Sequence, residues 1–167
     1  DIELTESVLA NGISEYGAFK AKCEQTMYDS SSLWTILRFS SLQGYSNIKS
    51  TRNENLLNNL SSGKTITVDT GVIQNRMMAD LMISGLVKII QQQVHGIIHF
   101  GTIDSSDELD FLRKQAVNYG YSEDVIKASP LHRNVNLNCI PDTIIRLFGE
   151  EYKVKEVDTL KELTGII

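Results

Sequence analysis

The run Leu33-Trp34-Thr35-Ile36-Leu37-Arg38-Phe39 constrains this chain more than any other segment. It is apolar at nearly every position and rich in β-branched and aromatic residues, as a strand buried on both faces would be. Ahead of it, Ser14 to Met27 sets Tyr16, Phe19, Cys23 and Met27 at three- and four-residue steps among good helix formers. That periodicity predicts an amphipathic helix with Ser14 as its N-cap. A helix feeding a doubly buried strand across the polar Asp29-Ser30-Ser31-Ser32 implies parallel α/β architecture.

The alternation continues. A short helix is expected near Asn53 to Leu60, then a strand from Thr65 to Asp69 after Gly63. A long helix follows over Arg76 to Gln92, with Met78, Leu81, Met82, Leu86, Ile89 and Ile90 as its apolar stripe, and then a strand from Ile97 to Phe100. Asp104-Ser105-Ser106-Asp107 is a good start for a helix over Glu108 to Asn118, closed by Gly120. The last forty residues read as an extended stretch near Val125 to Ala128, a segment from Pro130 to Asn138, and helical turns at Pro141 to Phe148 and Val157 to Leu163.

At 167 residues, with 41% hydrophobic and 22% charged, the chain has the makeup of about one globular domain. The net charge of −5, without a lysine or arginine cluster, argues against nucleic acid and anionic membranes as partners. Cys23 and Cys139 lie far apart and outside any zinc spacing, which predicts free thiols in a reducing compartment. His95 and His99, read as sharing a strand, and His132 lack a carboxylate to complete a metal site, so no metal is expected. The run Leu81 to Ile90 is too short and too interrupted to cross a bilayer, and no signal peptide is read, giving a cytoplasmic expectation. The chain opens at Asp1 on a dozen loop-like residues, which suggests a piece of a longer protein.

Chemistry concentrates on the first helix. Tyr16 and Lys20, four apart, share one face, and a nearby ammonium favours the phenolate of a tyrosine whose ordinary pKa is about 10. Such a pair suits proton exchange with a carbonyl oxygen. The spacing alone is weak evidence, because Tyr45 and Lys49 repeat it in what reads as a loop.

The surroundings are more specific. Tyr16-Gly17-Ala18-Phe19-Lys20, Glu24 four residues on, and a strand ending Leu37-Arg38 before the turn Phe39 to Gly44 resemble the extended short-chain dehydrogenase/reductase superfamily. Within it, Gly63 to Asp69, Asp80-Leu81, Gly96-Ile97-Ile98-His99, Arg133 to Asn138 and Leu147-Phe148-Gly149 are similar, in order, to segments of the dTDP-4-dehydrorhamnose reductase group. The resemblance implies the C-terminal half of a Rossmann-like fold, a parallel sheet flanked by helices plus a small substrate-binding lobe. Residues 1–45 would finish the cofactor-binding part, and residues 46–167 would mix sheet-completing and substrate-binding elements in the same partial domain.

It also implies NAD(P)H-dependent reduction of a 4-keto nucleotide sugar, in polysaccharide synthesis. Tyr16 would be the proton donor, and Lys20 would tune it and bind the nicotinamide ribose. Arg38, Ser40, Ser41 and Leu42 would lie against the cofactor, either NADP or NAD. Asn75, Arg76 and Arg133 would face the substrate. Two requirements follow: the phenol and ammonium on one helix face, and that face at a cleft.

Departures accompany the matches. No Gly-x-Gly-x-x-Gly spacing occurs among the eleven glycines. Thr5, Ser7 and Ser14 sit too near Tyr16 to be the group's third catalytic residue, the usual Pro-Thr is Asn75-Arg76, and the proline after arginine is Asn134. The 167 residues alone are therefore expected to be inactive and, with the edge of the Leu33 to Phe39 strand exposed, poorly soluble or homodimeric. The alternatives are a non-catalytic nucleotide-binding or regulatory member of the same fold, and an epimerase or dehydratase of the superfamily. The bland reading of Arg38 is a strand-end cation paired with an acid, and of Glu24 a partner for a lysine one turn away.

Overall fold

The computed structural model describes residues 4–165 except Ile13, Ser31 and residues 47–50. Lys49, and with it the second Tyr-Lys pair, lies outside the described residues. In chain order the elements are α1 (Glu15–Tyr28), β1 (Thr35–Phe39), β2 (Ser41–Gln43), α2 (Arg52–Ser61), β3 (Ile66–Gln74), β4 (Arg76–Met78), α3 (Ala79–Gln91), β5 (Gly96–Phe100), β6 (Ser106–Asp107), α4 (Glu108–Asn118), β7 (Ile126–Asn136), α5 (Asp142–Phe148) and α6 (Glu156–Gly165).

β1 and β5 pair in parallel, Thr35 opposite Gly96 through Phe39 opposite Phe100. β2 and β4 form a second parallel pair, with Ser41 opposite Arg76. A third sheet, in the order β6-β3-β7, joins β3 to β7 in parallel and to β6 antiparallel. This is the α/β arrangement, parallel strands flanked by helices, that the opening run implied.

Local chemistry fixes the ends. The Ser14 hydroxyl accepts from the Gly17 amide at 3.1 Å and starts α1. The Asp107 carboxylate accepts from the Leu109 amide at 2.9 Å and starts α4. α4 ends where Gly120 takes φ +82°, which lets the amides of Gly120 and Tyr121 reach back to the carbonyls of Val117 and Ala116, both at 2.9 Å.

Two cores result. Leu56, Leu60, Leu109, Leu112, Ile126 and Leu163 fill the first, between α2, α4, α6 and the β3–β7 sheet. Ile89, Ile98, Phe100, Ile144 and Tyr152 fill the second, between α3, α5 and β5. Alternation along β4 sends Met77 into the second core and Met78 into the first.

Several expectations are corrected. Arg76 to Met78 is strand, not helix: Met78 is extended at φ −68° and ψ 138°, so α3 begins at Ala79. β3 runs on to Gln74, and the extended stretch near Val125 to Ala128 continues through the Pro130 segment as one long strand, β7. His95 precedes β5 instead of sharing a strand with His99. On α1 the expected apolar stripe faces outward: Tyr16, Phe19, Cys23 and Met27 are exposed. The face against the body is Gly17, Ala21, Glu24 and Tyr28, the other i, i+4, i+7 set of the same helix.

Candidate functional site

The α1 corner is built on close backbone contact. The segment before α1 crosses its first turn at Gly12 and Gly17. A Cβ on Gly12 would lie 1.9 Å from the Gly17 carbonyl carbon, and one on Gly17 would lie 2.8 Å from Gly12 Cα. Glycine follows Tyr16 for that steric reason. Tyr28, at the far end, packs edge-on against Trp34 with ring centroids 5.0 Å apart. Between these contacts, Lys20 Nζ sits 5.5 Å from the centroid of the Tyr16 ring.

The phenol and the ammonium thus share one face, as the spacing required. The second requirement finds no support among the described residues: Tyr16 is 73% exposed, and neither residue lines the groove described below or two smaller cavities.

The expected cofactor contacts divide. Arg38, at the end of β1, is committed internally. Its Nε donates to Glu24 Oε1 at 2.9 Å, Nη2 to Glu24 Oε2 at 2.6 Å and Nη1 to the Val8 carbonyl at 2.8 Å. Glu24 therefore pairs across to β1 and not along its own helix. Ser40 differs, for its hydroxyl oxygen is buried with no hydrogen-bond partner among the described residues. The Ser41 amide donates to the Asn75 carbonyl at 3.2 Å, and Leu42 packs against the second core.

The expected substrate residues also divide. Asn75 and Arg76 do not face the surface. The Asn75 amide nitrogen donates to the carbonyls of Thr102 and Cys139, at 2.8 and 2.7 Å, and its oxygen accepts from the Cys139 amide. Arg76 is 1% exposed, stacked 4.2 Å from the Phe111 ring centroid. It donates from Nη2 to Glu108 at 2.7 Å and from Nη1 to Glu156 at 2.5 Å. Arg52 also pairs with Glu108, so two guanidiniums meet two carboxylates and the cluster is neutral. Arg52 is exposed, but burying Arg76, Glu108 and Glu156 is tolerable only because each is paired and hydrogen-bonded.

Arg133 does reach a concavity. A groove of about 670 Å³ runs between α2, β3, α4 and β7, with Leu56, Val68, Leu112 and Val135 as apolar floor. Arg52, Asp69, Gln74, Glu108 and Arg133 line it with polar groups. Arg133 Nε donates to Asp69 Oδ2 at 2.6 Å, and that hydrogen bond, ahead of a second from Ser129, holds the Asp69 carboxyl below its ordinary range. Arg52, Gln74 and Glu108 had no motif to mark them. The one available signal was Thr51 with Glu54, a capping box that puts Arg52 at the first position of α2.

Both cysteines are free. Among the described residues no three His, Cys, Asp or Glu side chains are grouped to hold a metal, and no helix is long and apolar enough to cross a membrane.

No known family pattern and no curated protein sequence matches this chain. Solved structures do. The dTDP-4-dehydrorhamnose reductase of Yersinia enterocolitica superposes with a TM-score of 0.82 at 14% identity, over 97% of this chain and 60% of that one. The same enzyme from Bacillus anthracis, in complex with NADP, gives 0.82 at 16% identity over 98% and 59%. A dTDP-glucose 4,6-dehydratase from Bacillus anthracis in complex with NAD gives 0.70 at 13% identity over 97% and 56%. The chain thus has the Rossmann-like fold of extended short-chain dehydrogenase/reductase enzymes. Among them it is similar to dTDP-4-dehydrorhamnose reductases, spanning about 60% of their length.

Proposed function

We propose that this chain forms the acid–base and substrate-binding side of an NAD(P)H-dependent reductase acting on a 4-keto nucleotide sugar, as in polysaccharide synthesis. The observation that carries the reading is the shared Tyr16–Lys20 face on a fold that superposes on dTDP-4-dehydrorhamnose reductase at 0.82.

The cofactor fits this chain at one end. Lys20 and the Ser40 hydroxyl, which has no partner among the described residues, lie on α1 and at the C-terminal end of β1, the side of a parallel sheet where nucleotides bind. When bound, the reduced nicotinamide supplies hydride to the carbonyl carbon. Tyr16 Oη donates the proton to the carbonyl oxygen, and the Lys20 ammonium stabilises the phenolate left behind. Arg133 and Arg52 would hold the diphosphate over the groove, with the apolar floor under the nucleoside. Asn75 and Arg76 would set the groove wall from behind. The 167 residues alone would turn nothing over.

In the intact protein carrying this chain, Tyr16→Phe is expected to cut NAD(P)H oxidation by a 4-keto nucleotide sugar by about 10²–10⁴-fold. NAD(P)H binding, followed by fluorescence, should be unchanged. Turnover equal to the parent's removes the proton-donor role and leaves a nucleotide-binding module of the same fold.

A further inference from the structure

The helix that carries Tyr16 and Lys20 is thinly attached. None of its side chains is fully buried, and its inner face offers only Gly17, Ala21, Glu24 and Tyr28. Apolar packing therefore does little to fix its rotation about its own axis. A rotation of α1 swings the Tyr16 phenol directly, since that residue projects from the outer face.

One polar joint opposes such motion. Both oxygens of Glu24 are gripped by the Arg38 fork, and both side chains are 15% exposed. The third arm of Arg38 takes the Val8 carbonyl, and Nη1 lies 3.5 Å from His99 Nε2. Glu6 ties the same leading segment to β5 and α5, accepting from the amides of His99 at 3.3 Å and Thr143 at 3.4 Å. Arg38 thus bolts four pieces together: α1, the end of β1, the segment before α1, and β5. A planar bidentate pair fixes direction as well as distance, which a lysine's point charge does not.

We propose that Glu24 and Arg38 form a positioning pair that sets the angle at which α1 presents Tyr16 and Lys20 to the reacting carbonyl. The inference rests on the reductase reading. It gives Arg38 a part in the reaction without contact to cofactor or substrate, and it makes Glu24, two turns from the phenol, a determinant of turnover.

The test uses the intact protein with Glu24→Gln, Arg38→Lys, the double variant Glu24→Gln/Arg38→Lys, and Tyr16→Phe beside them. Misplacing a reacting group by about 1 Å costs on the order of 10²-fold in rate. Glu24→Gln should therefore lower kcat by about that factor while KM for the cofactor stays within about twofold. Arg38→Lys, which keeps the charge but not the fork, should lose about tenfold and guards against a Glu24 variant that fails to fold. The double variant should be no slower than the poorer single change, as for two groups acting through one joint.

Hydrogen exchange gives a readout independent of turnover. Amides of residues 15–28 should exchange faster in Glu24→Gln, with those of α4 and α6 unchanged. Parental kcat in Glu24→Gln or Arg38→Lys, a loss confined to KM, losses that multiply in the double variant, or unaltered exchange in α1 each overturn the pair. If Tyr16→Phe keeps full turnover, the reductase reading falls instead, and α1 exchange alone decides whether the joint holds the helix.

Discussion

The cluster around Arg76 and the corner around Tyr16 are opposites. At Arg76 every charge has its partner inside the chain, the guanidinium is sealed from water, and β4, α4 and α6 converge on it. At Tyr16 the phenol and the Lys20 ammonium stand in solvent, the helix beneath buries nothing fully, and the buried Ser40 hydroxyl just past β1 has no partner among the described residues. The first region is finished architecture. The second is a helix face left open to solvent. Internal satisfaction of polar groups, more than their kind, separates an arginine that holds the fold from a tyrosine available for chemistry.

The largest expected effect tests the finished region. Arg76→Met leaves Glu108 and Glu156 short of their shared cation and should cost about 3–5 kcal/mol in denaturant unfolding. Arg133→Met removes an exposed pair and should cost less than about 1 kcal/mol. Equal costs would erase the contrast.

Acid provides the next handle. Burial, against the opposing pull of Glu6 and with Arg38 adding to it, holds the His99 imidazole below its ordinary 6.5. Glu24 also faces it and favours the charged form. The unfolded chain therefore takes up this proton first, so stability present above pH 6.5 falls as the pH drops through and below that value. His99→Gln should flatten this window and spare the later loss from Asp69, whose carboxyl titrates below the ordinary 3.8. A parental acid profile in His99→Gln would remove the assignment.

The smallest effect is a rate of labelling. Burial, above all, pushes the Cys139 thiol up to about 11, whereas Cys23 is exposed on the outer face of α1. Alkylation at pH 8 followed by peptide mapping should mark Cys23 early and Cys139 late. The reverse order would mean that the α1 face is the covered one.

Much of the fold was legible because it rests on local rules. Ser14, Asp107 and Gly120 mark helix ends by hydrogen bonds reaching only a few residues. The apolar run gave β1 at Thr35–Phe39, although none of its residues is fully buried and Leu33 and Phe39 are exposed, and the shared face of Tyr16 and Lys20 came from spacing. What stayed hidden depended on distance. Arg76 reads as a substrate arginine until Glu108 and Glu156, 32 and 80 residues away, fold against it. The outward turn of Phe19 and Met27 was equally hidden, for periodicity announces a helix without saying which of its faces is covered. Met77-Met78 suits the start of a helix as well as a strand, and only pairing with Leu42 and Gln43 decides.

That methionine pair carries a mechanical consequence. Neighbours in sequence are anchored in separate cores, so β4 behaves as a rivet through both. Neither lobe can slide past the other at this strand without opening a void on one side. A closing motion around a ligand would therefore leave the packing on both sides of β4 intact.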